Sequence, residues 1–183
     1  MSKDEQDQEL LADIKRAIDQ VNAYHEELDG ESPRAAAILA VANLEDELER
    51  LLLVRFTGVT KDVWQTLAGA QQAPLGSLYA KNTLARAFGF YGGKTWGVVD
   101  TLGAIRNKFA HEISVRHFNH ELVIREFKKL ANNPFQPFVW KDTMTGDEIR
   151  KIFLEIMLAL EKDLLSVRSN FLFPESPPPT LLP

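Results

Sequence analysis

The sequence predicts an all-α protein that folds as a single-domain antiparallel helical bundle of about six to seven helices. Three observations lead to this prediction. Apolar residues recur with the period of an α-helix over long segments, and capping residues or Pro/Gly turns separate these segments by short loops. No segment shows the strict apolar–polar alternation of a half-buried strand. With 183 residues, the chain is long enough for one domain with a complete core.

The first two helices are predicted from their apolar patterns and from the residues between them. Residues 4–28 carry leucine, isoleucine and valine at helical spacing, and Asp29-Gly30 ends this helix. Ser32 as N-cap and Pro33 at the first helical position start a second helix, about 33–56. Because its first half is apolar almost all round, we expect it to be buried on several sides and to be the central element of the fold.

Three further helices are predicted in the middle of the chain. Thr60 and Ser77 are suitable N-cap residues, and Gly92-Gly93 breaks the chain before the third of these helices. The predicted ranges are about 60–67, 78–89 and 95–113.

The last two helices flank an aromatic loop. Asn119 is predicted to cap a helix over about 120–131. The loop 132–142 contains two prolines and three aromatic residues, which is too apolar for a free linker, so we expect it to pack on the surface. Thr145-Gly146-Asp147-Glu148 is a capping box that opens a long final helix, about 146–170.

Composition limits the classes of function. The net charge of −5 and the pI of about 5.4 disfavour a general nucleic-acid binder, so we expect direct DNA binding to be weak or absent. The chain has no cysteine, which excludes disulfides and thiolate metal sites. His117, His120 and Glu121 cluster in sequence, but we find no further ligand for them, so neither a metal nor a cofactor is expected.

The ends of the chain bear on its location and domain organisation. The polar, acidic N-terminus does not resemble a signal peptide, and no apolar run is long enough to span a membrane, so we expect a cytoplasmic protein with no membrane association. We divide the chain into one helical domain, 1–173, and a proline-rich flexible tail, 174–183.

The stretch from Arg106 to His111 concentrates residues that could do chemistry. Asn107 and His111 are four apart and share a helical face, and the long side chain of Arg106 can reach the same side. A guanidinium can bind phosphate, an imidazole can transfer a proton, and an amide can orient either group. These groups would suffice for metal-independent RNA cleavage, in which a base takes the 2′-hydroxyl proton and a cation stabilises the phosphorane.

A structural role for Arg106 is the favoured alternative. Glu45 lies on the apolar stripe of the second helix, where a leucine would be expected, and Asp46 is one position away. A carboxylate in that position needs a cationic partner. We therefore predict that Glu45 or Asp46 forms an ion pair with Arg106 and ties the second helix to the fifth.

A second candidate site is the turn that contains Pro74, Gly76 and Ser77. Proline and glycine shape a tight turn, and Ser77 caps the helix that follows it. Two free backbone N–H groups at that helix start could hold an anion. The simpler alternative is that the turn is only a rigid connection between two helices.

Four segments of the chain share a characteristic order and spacing. They are Ala35–Glu49 (AAAILAVANLEDELE), Pro74–Leu78 (PLGSL), Ala85–Gly89 (ARAFG) and Ile105–His111 (IRNKFAH). In this order and spacing they resemble the mannitol operon repressor family (MltR-like proteins) over roughly residues 33–112. This resemblance implies an all-helical, non-enzymatic transcriptional repressor without an evident DNA-binding domain. Such a protein would act as an interaction module through a protein partner, such as a DNA-binding regulator, or through a composite surface.

The Arg-Asn-x-x-x-His ending also resembles the HEPN helical superfamily. In that superfamily, Arg and His from two protomers line a cleft that cuts RNA in some members, whereas other members are binding modules. In this chain the residues that match the motif are Arg106, Asn107 and His111. The resemblance therefore implies an alternative function, that of a HEPN-like ribonuclease or RNA-associated domain. We also expect a homodimer, because the long apolar final helix and the aromatic loop offer surface to cover.

Overall fold

The computed structural model describes residues 3–56, 58–70 and 72–172, and the predicted tail, 174–183, lies outside them. Within these residues the chain forms seven α-helices and one short 3-10 turn, with no strand, which confirms the all-α helical bundle. None of the described helices is long and apolar enough to cross a membrane. The helices are α1 (Lys3–Asp29), α2 (Pro33–Leu53), α3 (Lys61–Ala68), α4 (Leu78–Ala87), α5 (Gly93–His111), α6 (Glu121–Phe127) and α7 (Gly146–Leu172), and the 3-10 turn Lys128–Leu130 follows α6.

Side-chain caps fix the starts of four helices as predicted. The hydroxyl oxygens of Ser32, Thr60 and Ser77 each accept a hydrogen bond from the backbone N–H three residues later. In the capping box, Thr145 N donates to Glu148 Oε2 at 2.7 Å and Glu148 N donates to Thr145 Oγ1 at 3.2 Å.

The predicted cap of α6 is wrong by one residue. The N-cap is His120, whose Nδ1 accepts a hydrogen bond from Leu122 N at 3.3 Å, and not Asn119. The ring nitrogen of a histidine thus takes the capping role that the sequence pattern predicts for the asparagine side chain. The helix then ends at Phe127 and tightens into the 3-10 turn, whereas the sequence pattern predicts one uninterrupted helix to about residue 131.

The central position predicted for α2 is confirmed. This helix packs against α1, α4, α5 and α7. Its alanines permit close approach in the first half, and leucines fill the core in the second half. The fully buried apolar residues of α2 are Ala36, Ala37, Ala40, Val41, Leu44, Leu48, Leu51 and Leu52.

The loop between α6 and α7 packs on the bundle, as predicted. Asn133, only 4% exposed, donates to Leu130 O and Gln136 O and accepts from Phe135 N and Gln136 N, which closes the turn. The Phe127 ring lies 5.0 Å from that of Phe138. The apolar stripe of α7 is likewise buried inside the chain, so it does not supply the dimer surface that we expected from it.

Candidate functional site

A cavity of about 620 Å³ lies where α5 faces the start of α4 and the second half of α2. It is partly open to solvent and lined by polar, charged and apolar groups. All three residues of the Arg106–His111 motif that we singled out reach this cavity. Its lining comprises Glu45 from α2, Gly76, Ser77, Leu78, Tyr79 and Asn82 at the start of α4, and Asp100, Gly103, Ala104, Arg106, Asn107 and His111 from α5.

One stripe of α5 forms the longest wall. Asp100, Gly103, Asn107 and His111 recur at three- and four-residue spacing, which places them on one helical face. Asp100, Asn107 and His111 are exposed to solvent. Arg106 lies beside the stripe and reaches the cavity through its long side chain.

The start of α4 packs closely on α5 because residue 103 is glycine. A Cβ atom at Gly103 would lie only 2.9 Å from Leu78 Cδ2. Ser77 Oγ accepts the N–H of Ala80 at 3.2 Å. Within the described residues, the backbone N–H groups of Leu78 and Tyr79 have no hydrogen-bond acceptor, as is usual for the first turn of a helix. They therefore remain available to an anion.

A buried lysine behind the cavity joins two helices. Lys81, 4% exposed, lies on α4 and its Nζ is 3.0 Å from Glu45 Oε1 and 3.0 Å from Glu49 Oε2 on α2. Trp64 Nε1 of α3 donates to the other oxygen of Glu49 at 2.6 Å. The two carboxylates of α2 are thus held in place by α3 and α4.

Hydrogen bonds keep this buried cluster charged. Burial alone would lower the pKa of Lys81, but the bonds to Glu49 and Glu45 outweigh burial and hold its pKa above the ordinary value. Burial would also raise the pKa of Glu49, but the hydrogen bonds from Trp64 and Lys81 hold that pKa below its ordinary value. Both shifts favour the ionised pair.

Among the described residues, Arg106 makes one ion pair, and it is a long one. Its Nη2 lies 4.0 Å from Glu45 Oε2, while the other oxygen of Glu45 accepts a hydrogen bond from Lys81 at 3.0 Å. The Arg106 side chain is 29% exposed, and within the described residues its guanidinium donates no hydrogen bond. Glu45 therefore ties α2 to α4 more closely than to α5, and most donors of Arg106 remain open to the cavity.

Asp46, the other acid predicted to pair with Arg106, points elsewhere. It is exposed and forms no ion pair with Arg106 in the described part of the chain. Its charge acts instead on Tyr24 of α1, whose pKa is raised to about 12, chiefly by burial and then by Glu161 and Asp46.

The residues of the predicted turn divide between the cavity and the surface. Gly76 and Ser77 line the cavity, whereas Pro74 is exposed and lies outside the lining. The turn is rigid, because Leu75 N donates to Leu67 O at 2.7 Å and Gly76 N donates to Ala73 O at 2.9 Å. The turn is thus a rigid connection between two helices that also forms part of the cavity wall, and anion binding at the start of α4 stays a prediction.

The three residues weighed as metal ligands lie apart from the cavity. His117 and Glu121 are exposed, and His120 uses Nδ1 to cap α6. Among the described residues, no group of three or more histidine, aspartate or glutamate side chains is arranged to hold a metal ion.

Four polar residues in or behind the cavity were not predicted from the sequence. Tyr79 and Asp100 line the cavity, Lys81 orients Glu45, and buried Asn82 donates to Trp96 O at 3.0 Å and accepts from the Tyr91 hydroxyl at 2.9 Å. A signal existed for two of them. Lys81 and Asn82 take positions on the inner face of α4, between Leu78 and Ala85, where apolar residues are expected.

Comparison with known proteins identifies no relative, because no protein-family model, curated protein or solved structure matches the chain. The resemblances to the mannitol operon repressors and to the HEPN superfamily therefore stay predictions.

Proposed function

We propose that this chain is a non-enzymatic transcriptional regulator of repressor type, similar to the mannitol operon repressors, which recognises an acidic group in the cavity and acts through a protein partner. The observation that carries the proposal is the state of Arg106. It is a permanent cation on the wall of a cavity of about 620 Å³, and within the described part of the chain its single ion pair is 4.0 Å long. Cavities of this size are typical of binding sites for small molecules or side chains.

Lys81 is the reason that Arg106 stays available. If Glu45 were free, it would close on the guanidinium and neutralise it. Lys81 instead holds one oxygen of Glu45 by a hydrogen bond of 3.0 Å and draws the carboxylate toward α4. An incoming carboxylate or phosphate can then occupy the open donors of Arg106, in the fork geometry that arginine offers to such groups.

The charges around Arg106 favour a small acidic group over a nucleic acid. Glu45 and Asp100 line the same cavity, so among the described lining residues Arg106 is the one permanent cation beside two carboxylates. A polyanion would meet both carboxylates, and the chain as a whole carries a net charge of −5. This supports action through a protein, with weak or absent direct DNA binding. A homodimer remains part of the proposal.

Ligand-induced stabilisation tests the proposal. Inorganic phosphate or citrate at about ten times its Kd should stabilise the protein by about 1.4 kcal/mol, which raises the Tm by roughly 3–5 °C. The Arg106→Gln variant should lose this shift. Arg125→Gln is the matched control, because Arg125 is exposed on α6 and lies outside the cavity lining. An equal shift in Arg106→Gln, or no shift in the wild type, would contradict the proposal.

A HEPN-like ribonuclease is the second candidate, and one observation favours it. Arg106, Asn107 and His111 line one cavity, with Asn107 and His111 exposed to solvent, so a guanidinium and an imidazole could meet the same phosphodiester. Cleavage of single-stranded RNA in the presence of EDTA, lost in a folded His111→Ala variant, would support this function. If the wild-type protein leaves the RNA intact, the ribonuclease function is excluded.

A further inference from the structure

An isoleucine beside the cavity is displayed to solvent on a rigid loop. Ile113 is 83% exposed, the highest value for a large apolar side chain among the described residues. It comes two residues after His111, which is the last residue of α5 and lines the cavity. An exposed apolar side chain thus comes directly after the helix end that forms one wall of the cation-bearing cavity.

Arg34 of α2 fixes the backbone that carries Ile113. Its Nη2 donates to Glu112 O at 2.8 Å and to Val115 O at 2.9 Å. The loop is also anchored by Val115 and Phe118, whose side chains are buried. A preorganised loop loses little conformational freedom when a partner binds. Most of the free energy gained by burying the exposed isoleucine is therefore available for binding.

The charge around this loop differs in sign from that of the whole chain. Arg106, Lys108 and Arg116 lie on the stretch from Arg106 to His117, and Arg34 binds its backbone from α2. Three acids oppose these four cations, Glu112 on the stretch and Glu45 and Asp100 in the cavity, whereas the chain as a whole carries a net charge of −5. The small excess of cations beside an apolar anchor favours an acidic polypeptide. A nucleic acid would satisfy the charge but would offer no apolar side chain for Ile113.

We infer that Ile113 and the Arg106 side of the cavity form one docking surface for an acidic protein segment. A large apolar side chain of that segment packs on Ile113, and a neighbouring carboxylate binds Arg106. This inference rests on the proposed function, since it assigns the acidic group recognised in the cavity to a partner protein rather than to a free anion.

Synthetic peptides provide the test. A set of labelled peptides of fixed length, each with one leucine and one glutamate at varied short spacing in a polar background, is titrated with the protein and followed by fluorescence polarisation. Counterparts carry serine for the leucine or lysine for the glutamate. We expect at least one spacing to bind, and both counterparts to bind about tenfold or more weakly.

Substitutions in the protein test whether the peptide binds at Ile113 and Arg106. Ile113→Ser and Arg106→Gln should each weaken peptide binding about tenfold, while Val139→Ser, which changes a side chain that is 80% exposed on the α6–α7 loop, should leave it unchanged. Because Ile113 is exposed, its substitution should leave the Tm unaltered. The inference is overturned if the peptides bind no more tightly than their serine counterparts. It is also overturned if either variant binds the peptides as tightly as the wild type.

The remaining outcomes identify other occupants or separate this inference from the proposed function. A wild-type dimer by light scattering that Ile113→Ser dissociates would make a second copy the occupant and overturn the acidic partner, as would RNA binding that depends on Ile113. If phosphate stabilises the protein through Arg106 but no peptide binds, the docking inference fails and the proposed function stands. If peptides bind through Ile113 alone, the recognition of an acidic group at Arg106 fails.

Discussion

Replacing Lys81 by methionine removes the central charge of the buried cluster with little change in side-chain volume. Glu45 and Glu49, whose side chains are 22% and 27% exposed, would then face each other at i and i+4 on α2. Arg106, whose Nη2 is 4.0 Å away in the wild type, would then be the cationic partner left to Glu45, and Glu49 would keep the hydrogen bond from Trp64 Nε1. Neither contact replaces an ammonium at 3.0 Å from both carboxylates.

The expected loss of stability follows from the exposure of the two acids. Removing one partner of a fully buried ion pair costs about 3–5 kcal/mol. Water reaches roughly a quarter of each carboxylate here and recovers part of that loss. We therefore expect Lys81→Met to lower the free energy of unfolding by about 2–3 kcal/mol near pH 7.

The pH dependence of this difference gives a sharper test. In the wild type, the pKa of Glu49 is held below its ordinary value of 4.5, so its contribution is present above that pH and is lost as the pH falls through the lowered pKa. The pKa of Lys81 is raised above 10.5, so its contribution is lost only as the pH rises beyond that value. The gap between wild type and variant should therefore narrow below about pH 4.

Urea unfolding at several pH values measures this gap. Lys94→Met is the matched control, because Lys94 is exposed near the start of α5, and it should change the free energy of unfolding by less than about 0.5 kcal/mol. A Lys81→Met variant as stable as the control, or a deficit that does not change between neutral and acidic pH, would refute the reasoning. The phosphate-induced shift of the Tm should also decrease in Lys81→Met, because Glu45 becomes free to close on Arg106.

Three further predictions concern packing and buried polar groups. Gly97→Ala should stabilise the protein by about 0.5–1 kcal/mol in thermal unfolding, because no atom of the described residues lies within 4 Å of the added Cβ, whereas Gly103→Ala should lose that gain through its 2.9 Å contact. Asn133→Ala should cost about 2–3 kcal/mol in urea unfolding by opening four hydrogen bonds, and Asn133→Asp should cost at least as much, because its second carboxylate oxygen would face the two carbonyl oxygens to which the amide now donates. His25→Leu should cost about 3–5 kcal/mol by leaving Glu161 unpaired and 0% exposed, and adding Glu161→Leu should restore most of it in a double-mutant cycle.

The helices could be predicted from sequence because their signals are local. Apolar periodicity and the capping residues Ser32, Thr60, Ser77 and Thr145 fix where helices begin, and each of these caps is present. The cap of α6 was missed because histidine is an uncommon N-cap, and the asparagine before it is a common one.

The site was only partly predictable because it depends on how the helices pack. Periodicity along α5 places Asn107 and His111 on one face, but it does not show which helix lies opposite. The start of α4 lies there because Gly103 leaves room for it, and this brings in Tyr79 and Lys81. The partner of Glu45 was accordingly expected on α5, where Arg106 is, although its closer contact is on α4.

Helix α2 sets the distance between the two parts of the docking surface, the loop of Ile113 and the side of the cavity that carries Arg106. Arg34, which holds the loop of Ile113, and Glu45, which lies next to Arg106, are eleven residues apart on this helix. Eleven residues span about 16 Å and close to three full turns, so both side chains lie on the same side of α2. Inserting or deleting one residue between them would rotate one by about 100° and shift it by about 1.5 Å relative to the other. Related chains that keep this surface should therefore vary the identity of the intervening residues more freely than their number.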